Sequence, residues 1–160
     1  IAPMIIPTIV TGVSLYLAYA QIGILGSIQG LILAHTILVV PYIILITTPA
    51  FEGFDHKLEL AARSLGAKRI VVFRKIIIPI ILPSFLAAWL FAFIISFDEI
   101  IVTIFLAGNH FTLPKKMYNE LILQINPTIT AISSLLIVFT AICMMIIAFV
   151  IKKTNNKIID

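Results

Sequence analysis

Four apolar segments, each close to the length that a helix needs to cross a lipid bilayer, make up most of this 160-residue chain. A membrane-spanning helix takes about 20 consecutive apolar residues. In lipid, backbone N–H and C=O groups must pair within their own segment, so an open strand is excluded and a helix is expected. The sequence therefore predicts an all-α, polytopic transmembrane helical bundle. The predicted spans are about 4–20, about 26–50, one within 76–107, and about 128–151.

Charged residues are too few to cover a surface that faces water. They make up 11% of the chain, whereas a soluble domain carries about 25%. The net charge of +4 does not indicate nucleic-acid binding, because basic residues in a membrane protein first report its orientation. The single cysteine, Cys143, lies in an apolar segment, where the role of a small hydrophobic side chain is expected.

The distribution of the basic residues predicts the orientation. Six of the eleven lie in 51–75, and three lie in the C-terminal tail. By the positive-inside rule, both regions are expected in the cytoplasm, and the two spans between them agree with that expectation. The basic residues are Lys57, Arg63, Lys68, Arg69, Arg74 and Lys75 in the loop, and Lys152, Lys153 and Lys157 in the tail.

The third apolar run is longer than one upright helix requires. At about 1.5 Å per residue, 76–107 exceeds the thickness of the hydrocarbon core. Pro79 and Pro83 are expected to kink its start, because proline lacks the N–H that the helix needs. We therefore expect 76–82 to follow the cytoplasmic interface and the crossing to begin near Pro83.

A short amphipathic helix is predicted in the basic loop. Asp55 can cap its start by accepting a backbone N–H bond, and Gly66 can end it in a left-handed conformation. One narrow face of this helix is apolar, because its members recur with helical spacing. Such a helix fits either a groove on another protein or the headgroup layer of the membrane, and physical reasoning alone leaves both open. The apolar face consists of Leu58, Ala61, Ala62 and Leu65.

The same loop resembles the EAA motif of ABC-importer permeases, whose pattern is E-A-A, three residues, G, nine residues and I-x-L-P. Ala61, Ala62, Gly66, Ile76 and Pro79 match that pattern at the correct spacing. Two positions depart from it: Leu60 stands where the family has Glu, with Glu59 one residue earlier, and Ile78 replaces Leu. The resemblance implies a helix that docks on a cytoplasmic ATPase. The residues that it assigns to coupling are Glu59, Leu60, Ala61, Ala62, Leu65, Gly66 and Pro79.

The resemblance covers essentially the whole chain, and the flanking stretches look most like permeases of the spermidine/putrescine type. It implies the type I ABC-importer permease fold, with four spans present of a probable six. The chain starts at Ile1 inside an apolar run, so we expect a piece of a longer protein. We expect one transmembrane domain over 1–160, with the cytoplasmic coupling loop at 51–79. The implied partners are a cytoplasmic ABC ATPase dimer, a second permease subunit, an extracytoplasmic solute-binding protein, membrane lipid and a small-molecule substrate, in a bacterial inner or plasma membrane.

Two carboxylates and one histidine lie within apolar segments: Asp98, Glu99 and His35. A charge at bilayer depth costs at least about 2.5 kcal/mol on insertion scales, so such residues are expected to face a polar cavity or a partner. We expect Asp98 to face the translocation pathway, where it would attract a polyamine cation, and Glu99 to lie at a helix–helix contact. The alternative places both carboxylates at the outer interface or in structural pairs. His35 either bonds a neighbouring helix or lines the pathway.

No catalytic chemistry is visible in the sequence. The phosphate-binding pattern G-x-x-x-x-G-K-[ST] is absent, and no cluster of Cys, His and carboxylate residues has metal-binding spacing. We therefore expect a transport subunit without catalytic residues, metal, cofactor or nucleic-acid partner, and ATP hydrolysis in a separate subunit. The outer loop 108–127 can form a short amphipathic helix or remain a solvated loop. Two alternative functions stay open: a permease for another small solute (metal ion, amino acid or thiamine), and a membrane scaffold or channel.

Overall fold

Every regular element in the described part of the chain is helical. The computed structural model describes the backbone of residues 2–123 and 127–159, with side chains except at 2–3, 123, 127–128, 147–148 and 150–159. The side chains of Lys152, Lys153 and Lys157 therefore lie outside the described residues. The α-helices are α1 (Ala2–Ile5), α2 (Thr8–Ile22), α3 (Ile28–Glu52), α4 (His56–Ser64), α5 (Arg69–Val72), α6 (Ile78–Asp98), α7 (Ile101–Leu106), α8 (Leu113–Leu123) and α9 (Pro127–Ile159), with a π-helical turn at Phe73–Ile77.

Three of the described helical segments are long and apolar enough to cross a membrane: Ile28–Glu52, Arg69–Asp98 and Ile129–Ile146. The predicted first span is shorter than expected. The helix is interrupted before Pro7. The Pro7 carbonyl accepts the N–H bonds of Val10 and Thr11 and so starts α2. The resulting 15-residue helix is about 22 Å long at 1.5 Å per residue, which is less than the roughly 30 Å hydrocarbon core.

The third apolar run differs from its prediction. A continuous helical segment extends from Arg69 to Asp98, with Pro83 inside it, so 76–82 is not a separate helix. Its place along the cytoplasmic interface stays a prediction. The π turn ends two residues before Pro79, and the Ile78 N–H donates to the Phe73 carbonyl, five residues back. This wider turn accommodates the proline, because a proline ring clashes with the carbonyl four residues earlier in a regular helix. The helical segment ends at Asp98, and α7 is a separate short helix.

The described chain falls into two compact units: Ile1–Tyr42 with Ala92–Thr140, and Ile43–Phe91 with Ala141–Asp160. In the first unit, α2 packs against α7. The phenyl ring of Phe105 lies so close to Gly12 that a Cβ added there would be 2.8 Å from it. Around this contact, apolar side chains from α2, α3 and α7 form the core. Its buried members are Tyr19, Ala34, Leu38, Val102 and Leu106.

Two turns of the first unit cross at their backbones. The Gly26 N–H donates to the Leu106 carbonyl at 3.1 Å. Gly108 has a φ of +52°, and a Cβ added to it would lie 2.9 Å from the Cα of Gly26. At Gly108, only a residue without a side chain allows the two turns to come this close. The turn after α2 is thereby fixed against the turn after α7.

A buried lysine holds the segment that leads into α8. Lys115 is only 8% exposed, and its Nζ donates to the carbonyls of Gly108 at 2.9 Å and His110 at 3.2 Å. The ammonium also lies 5.2 Å from the centre of the Phe111 ring, within the range of a cation–π contact. Of the two alternatives for the 108–127 loop, the helix is present over Leu113–Leu123.

We expect Lys115→Met to lower the free energy of unfolding by about 1–3 kcal/mol, since it leaves two carbonyls without their charged donor. Lys116→Met is the matched control, because Lys116 is exposed and adjacent in sequence. Exposed substitutions of this kind change stability by about 0.5 kcal/mol or less. Thermal denaturation of the two detergent-solubilised variants measures the difference, and equal midpoints would contradict the role of Lys115.

Candidate functional site

The loop that carries the EAA-like motif contains the predicted capped helix. The Asp55 carboxylate accepts the Lys57 N–H at 2.9 Å, which confirms the predicted start of α4. At its end, Gly66 adopts a φ of +85°, and the Ala67 N–H returns to the Ala62 carbonyl at 3.1 Å. The predicted left-handed end at Gly66 is therefore confirmed. Both ends are fixed by bonds within the loop itself.

The apolar face of α4 is largely uncovered by its own chain. Ala61 is exposed, Leu65 is 90% exposed, and Leu58 is also exposed. Burying apolar surface contributes about 25 cal/mol per Å², so a face of this kind on a charged helix is typical of a surface that another molecule covers. The position of the motif's Glu, Leu60, is itself 60% exposed.

Glu59, the carboxylate nearest to the motif's Glu position, faces its own helix. Its Oε1 lies 3.7 Å from a guanidinium nitrogen of Arg63, one turn later. Adjacent residues are about 100° apart around a helix, so Glu59 and Leu60 point in different directions. An exposed pair of this kind contributes about 0.3–0.5 kcal/mol, which is too little to fix the side chain. A coupling role for Glu59 stays a prediction.

The two intramembrane carboxylates have different surroundings in the first unit. The Glu99 carboxylate accepts the Val102 N–H at 2.9 Å, and the Glu99 carbonyl accepts the Thr103 hydroxyl at 2.7 Å. Glu99 thus joins the end of α6 to the start of α7. Asp98 is exposed and lines a cavity of about 290 Å³ with Phe93 and Phe97, among others. Their assignment to the translocation pathway stays a prediction.

His35 bridges α3 to the helices on either side of Glu99. Its Nδ1 lies 2.9 Å from the Ser96 hydroxyl, and its Nε2 lies 3.1 Å from the Thr103 hydroxyl. The interhelical hydrogen bond that was one of its two predicted roles is therefore present. His35 also lines a second, mostly apolar cavity of about 410 Å³ together with Thr36, Ser96 and other residues. Its pathway role stays a prediction.

Among the described residues, no three His, Cys, Asp or Glu side chains are grouped as a metal site would require. Two separate features stand out instead: the exposed amphipathic helix α4 in the second unit, and a polar cluster within the apolar helices of the first unit. A sequence model of the family described as binding-protein-dependent transport system inner membrane component matches residues 1–157. The chain belongs to this family. It is accordingly a multi-pass inner-membrane component of a transport system and not an enzyme, and the resemblance to importer permeases is confirmed.

Curated relatives of this family member are transport permeases. The spermidine/putrescine transport system permease protein PotC of Haemophilus influenzae is 30% identical over 154 residues, which cover 96% of this chain and 60% of that protein. The putrescine transport system permease protein PotI of Escherichia coli is 30% identical over 143 residues, or 85% of this chain and 51% of that protein. A spermidine/putrescine permease PotC homolog of Mycoplasma pneumoniae is 32% identical over 117 residues, which cover 71% of this chain and 41% of that protein. The chain thus spans about 60% or less of the length of these relatives.

The sequence did not reveal which residues would contact His35 and Glu99. Ser96, Thr103 and Val102 contact His35 or Glu99, yet each looks like an ordinary residue of an apolar helix. One local signal was present: an acidic pair directly before a short apolar run is typical of a helix start, because carboxylates interact favourably with the N-terminal dipole. That pattern would have predicted the break between α6 and α7.

Proposed function

We propose that this chain is part of the membrane permease of an ATP-driven importer for spermidine or putrescine. The observation that carries the substrate class is the agreement of relatives named for these two polyamines along nearly the whole chain. The EAA-like loop supports coupling to an ATPase. The family match supports operation with a separate binding protein, since that dependence is part of the family's description.

The exposed apolar face of α4 is the surface that we assign to the ATPase dimer. In this orientation 51–75 and the C-terminus are cytoplasmic, a second permease subunit completes the pathway, and an extracytoplasmic solute-binding protein delivers the substrate. ATP binding in the partner would move α4, and the spans would alternate between inward-open and outward-open states. Leu58, Ala61, Ala62 and Leu65 form the contact, and Gly66 and Pro79 shape the loop that holds it.

Asp98 is the residue that we assign to the cation. Its carboxylate is exposed beside Phe93 and Phe97, whose rings lie 5.7 Å apart. An alkylammonium ion is attracted both by a carboxylate and by the faces of aromatic rings, so this combination suits such a ligand. A single carboxylate also keeps the binding weak enough for release, which conduction requires.

The proposal is tested with the permease reconstituted with its ATPase, partner permease and binding protein. ATP hydrolysis is measured while spermidine and putrescine are titrated, with a neutral sugar, a divalent metal ion, an amino acid and thiamine as controls. Stimulation by polyamine alone is the expected result. Stimulation by another solute instead would keep the coupling role and overturn the substrate, and failure to assemble with an ATPase would favour a scaffold or channel.

Asp98→Asn is expected to lower polyamine uptake by about tenfold or more while the complex still assembles. Removing the charge loses one charge-assisted contact with the cation, worth about 1.5–3 kcal/mol, and each 1.4 kcal/mol is about tenfold. Glu52→Gln is the control, because Glu52 is an exposed carboxylate at the end of α3. Uptake is measured with radiolabelled spermidine in proteoliposomes, and normal uptake by Asp98→Asn would rule out the assignment.

A further inference from the structure

His35 connects three helices at the point where the long span ends. It lies on α3, and its two ring nitrogens contact Ser96 near the end of α6 and Thr103 on α7. These two partners flank the non-helical residues Glu99 and Ile100. The side chain of Thr103 is fully buried. One imidazole therefore holds both sides of the helix break that carries the carboxylates.

The direction of these hydrogen bonds can be assigned from the partners. The Thr103 hydroxyl has one proton, which it donates to the Glu99 carbonyl at 2.7 Å. Its oxygen must then accept from His35, so Nε2 carries the ring proton. In the neutral ring Nδ1 is an acceptor, and the Ser96 hydroxyl donates to it. The resulting chain runs from Ser96 through His35 and Thr103 to the Glu99 carbonyl, in which His35 and Thr103 each donate one bond and accept another.

This chain constrains the residue before the break. The Glu99 backbone is held through its carbonyl by Thr103, and its carboxylate is held by the Val102 N–H. Asp98 is the last residue of α6, so the direction of its side chain depends on the backbone geometry where α6 ends. We propose that His35 is a positioning residue: it holds the ends of α6 and α7 so that Asp98 faces the 290 Å³ cavity. The transport consequence rests on the proposed function.

The position of residue 98 can be measured without relying on transport. The sequence has one cysteine, Cys143, which is replaced by Ala. Asp98→Cys is then added, and the rate of its modification by a small cationic methanethiosulfonate is followed in native membranes. His35→Leu is expected to change this rate by about tenfold, since the net contribution of one buried hydrogen bond corresponds to about a tenfold change in population.

Three further variants give the experiment its controls. His35→Gln keeps one acceptor and one donor on a planar group, so its rate is expected within about twofold of the parent. Thr103→Val removes the hydroxyl that accepts the His35 hydrogen bond, with little change in shape. It is expected to change the modification rate as His35→Leu does, and it serves as the test if His35→Leu does not fold. Thr36→Val removes a neighbouring hydroxyl that bonds only within α3 in the described contacts, and it is expected to leave the rate unchanged.

Unchanged modification in His35→Leu, or in Thr103→Val where His35→Leu does not fold, would overturn the proposal, and so would an equal change in Thr36→Val. Uptake adds a separate criterion. With Asp98 present, His35→Leu is expected to reduce polyamine uptake and His35→Gln to restore it. In a protein that already carries Asp98→Asn, adding His35→Leu is expected to change polyamine uptake by no more than about twofold. Normal uptake by Asp98→Asn together with altered modification would contradict the assignment of Asp98 to the cation and leave the role of His35 standing.

Discussion

Ala61→Trp is expected to abolish most ATP-driven uptake while the protein remains in the membrane at its normal amount. Ala61 is exposed on the apolar face of α4, so an indole there can extend toward solvent. It then lies on the surface that we assign to the ATPase. Forcing a large side chain into a fitted groove costs about 1–3 kcal/mol, and each 1.4 kcal/mol is about tenfold, so uptake is expected to fall about 5- to 150-fold.

The experiment needs a control for the effect of adding a tryptophan side chain at an exposed position away from α4. Ala20→Trp makes the same change at another exposed alanine, near the end of α2, where an aromatic side chain is tolerated if it reaches the membrane interface. Copurification of the ATPase and uptake by proteoliposomes are measured for both variants. Full copurification and uptake by Ala61→Trp would exclude α4 as the coupling surface.

Gly108→Ala is expected to destabilise the protein by about 2–4 kcal/mol. Part of this cost is the left-handed conformation, about 1–2 kcal/mol for a residue with a Cβ. The rest is the overlap of the new methyl group with the Gly26 backbone, 2.9 Å away, which cannot rotate aside as a side chain would. For a chain of this size each kcal/mol lowers the melting temperature by about 2–4 °C.

A second glycine separates these two contributions. Gly23 has a φ of +73°, and a Cβ added there would meet nothing within 4 Å. Gly23→Ala therefore includes the conformational cost alone, and its melting temperature is expected to lie between those of the parent and Gly108→Ala. Melting temperatures are read from the fluorescence of the solubilised protein during heating. If Gly23→Ala and Gly108→Ala have the same melting temperature, the close contact between the two turns does not contribute to stability.

Features that depend on neighbouring residues were predictable from the sequence. The cap at Asp55 and the left-handed Gly66 were found as predicted, because the bonds that make them join residues two to five positions apart. The apolar composition likewise predicted an all-helical membrane protein, since lipid leaves a chain few alternatives.

Features that depend on distant residues were not predictable in the same way. The partners of His35 lie 61 and 68 positions along the chain, and no periodicity in one sequence reports such a pairing. The continuity of the long span was not foreseen for a different reason. Two prolines predicted a kink, but a π turn accommodated Pro79, and the choice between a kink and a wider turn depends on small differences in backbone energy.

The π turn at Phe73–Ile77 also affects how this membrane span can change during evolution. A π turn contains about one residue more than an α-helical turn. Losing one residue inside it would turn it into ordinary helix, and the sequence on either side would keep its own hydrogen-bonding pattern. The same deletion between residues 84 and 97 would rotate the residues before and after it by about 100° relative to each other. A lineage can therefore shorten this span near its motif, whereas the stretch that leads to Asp98 is constrained in length.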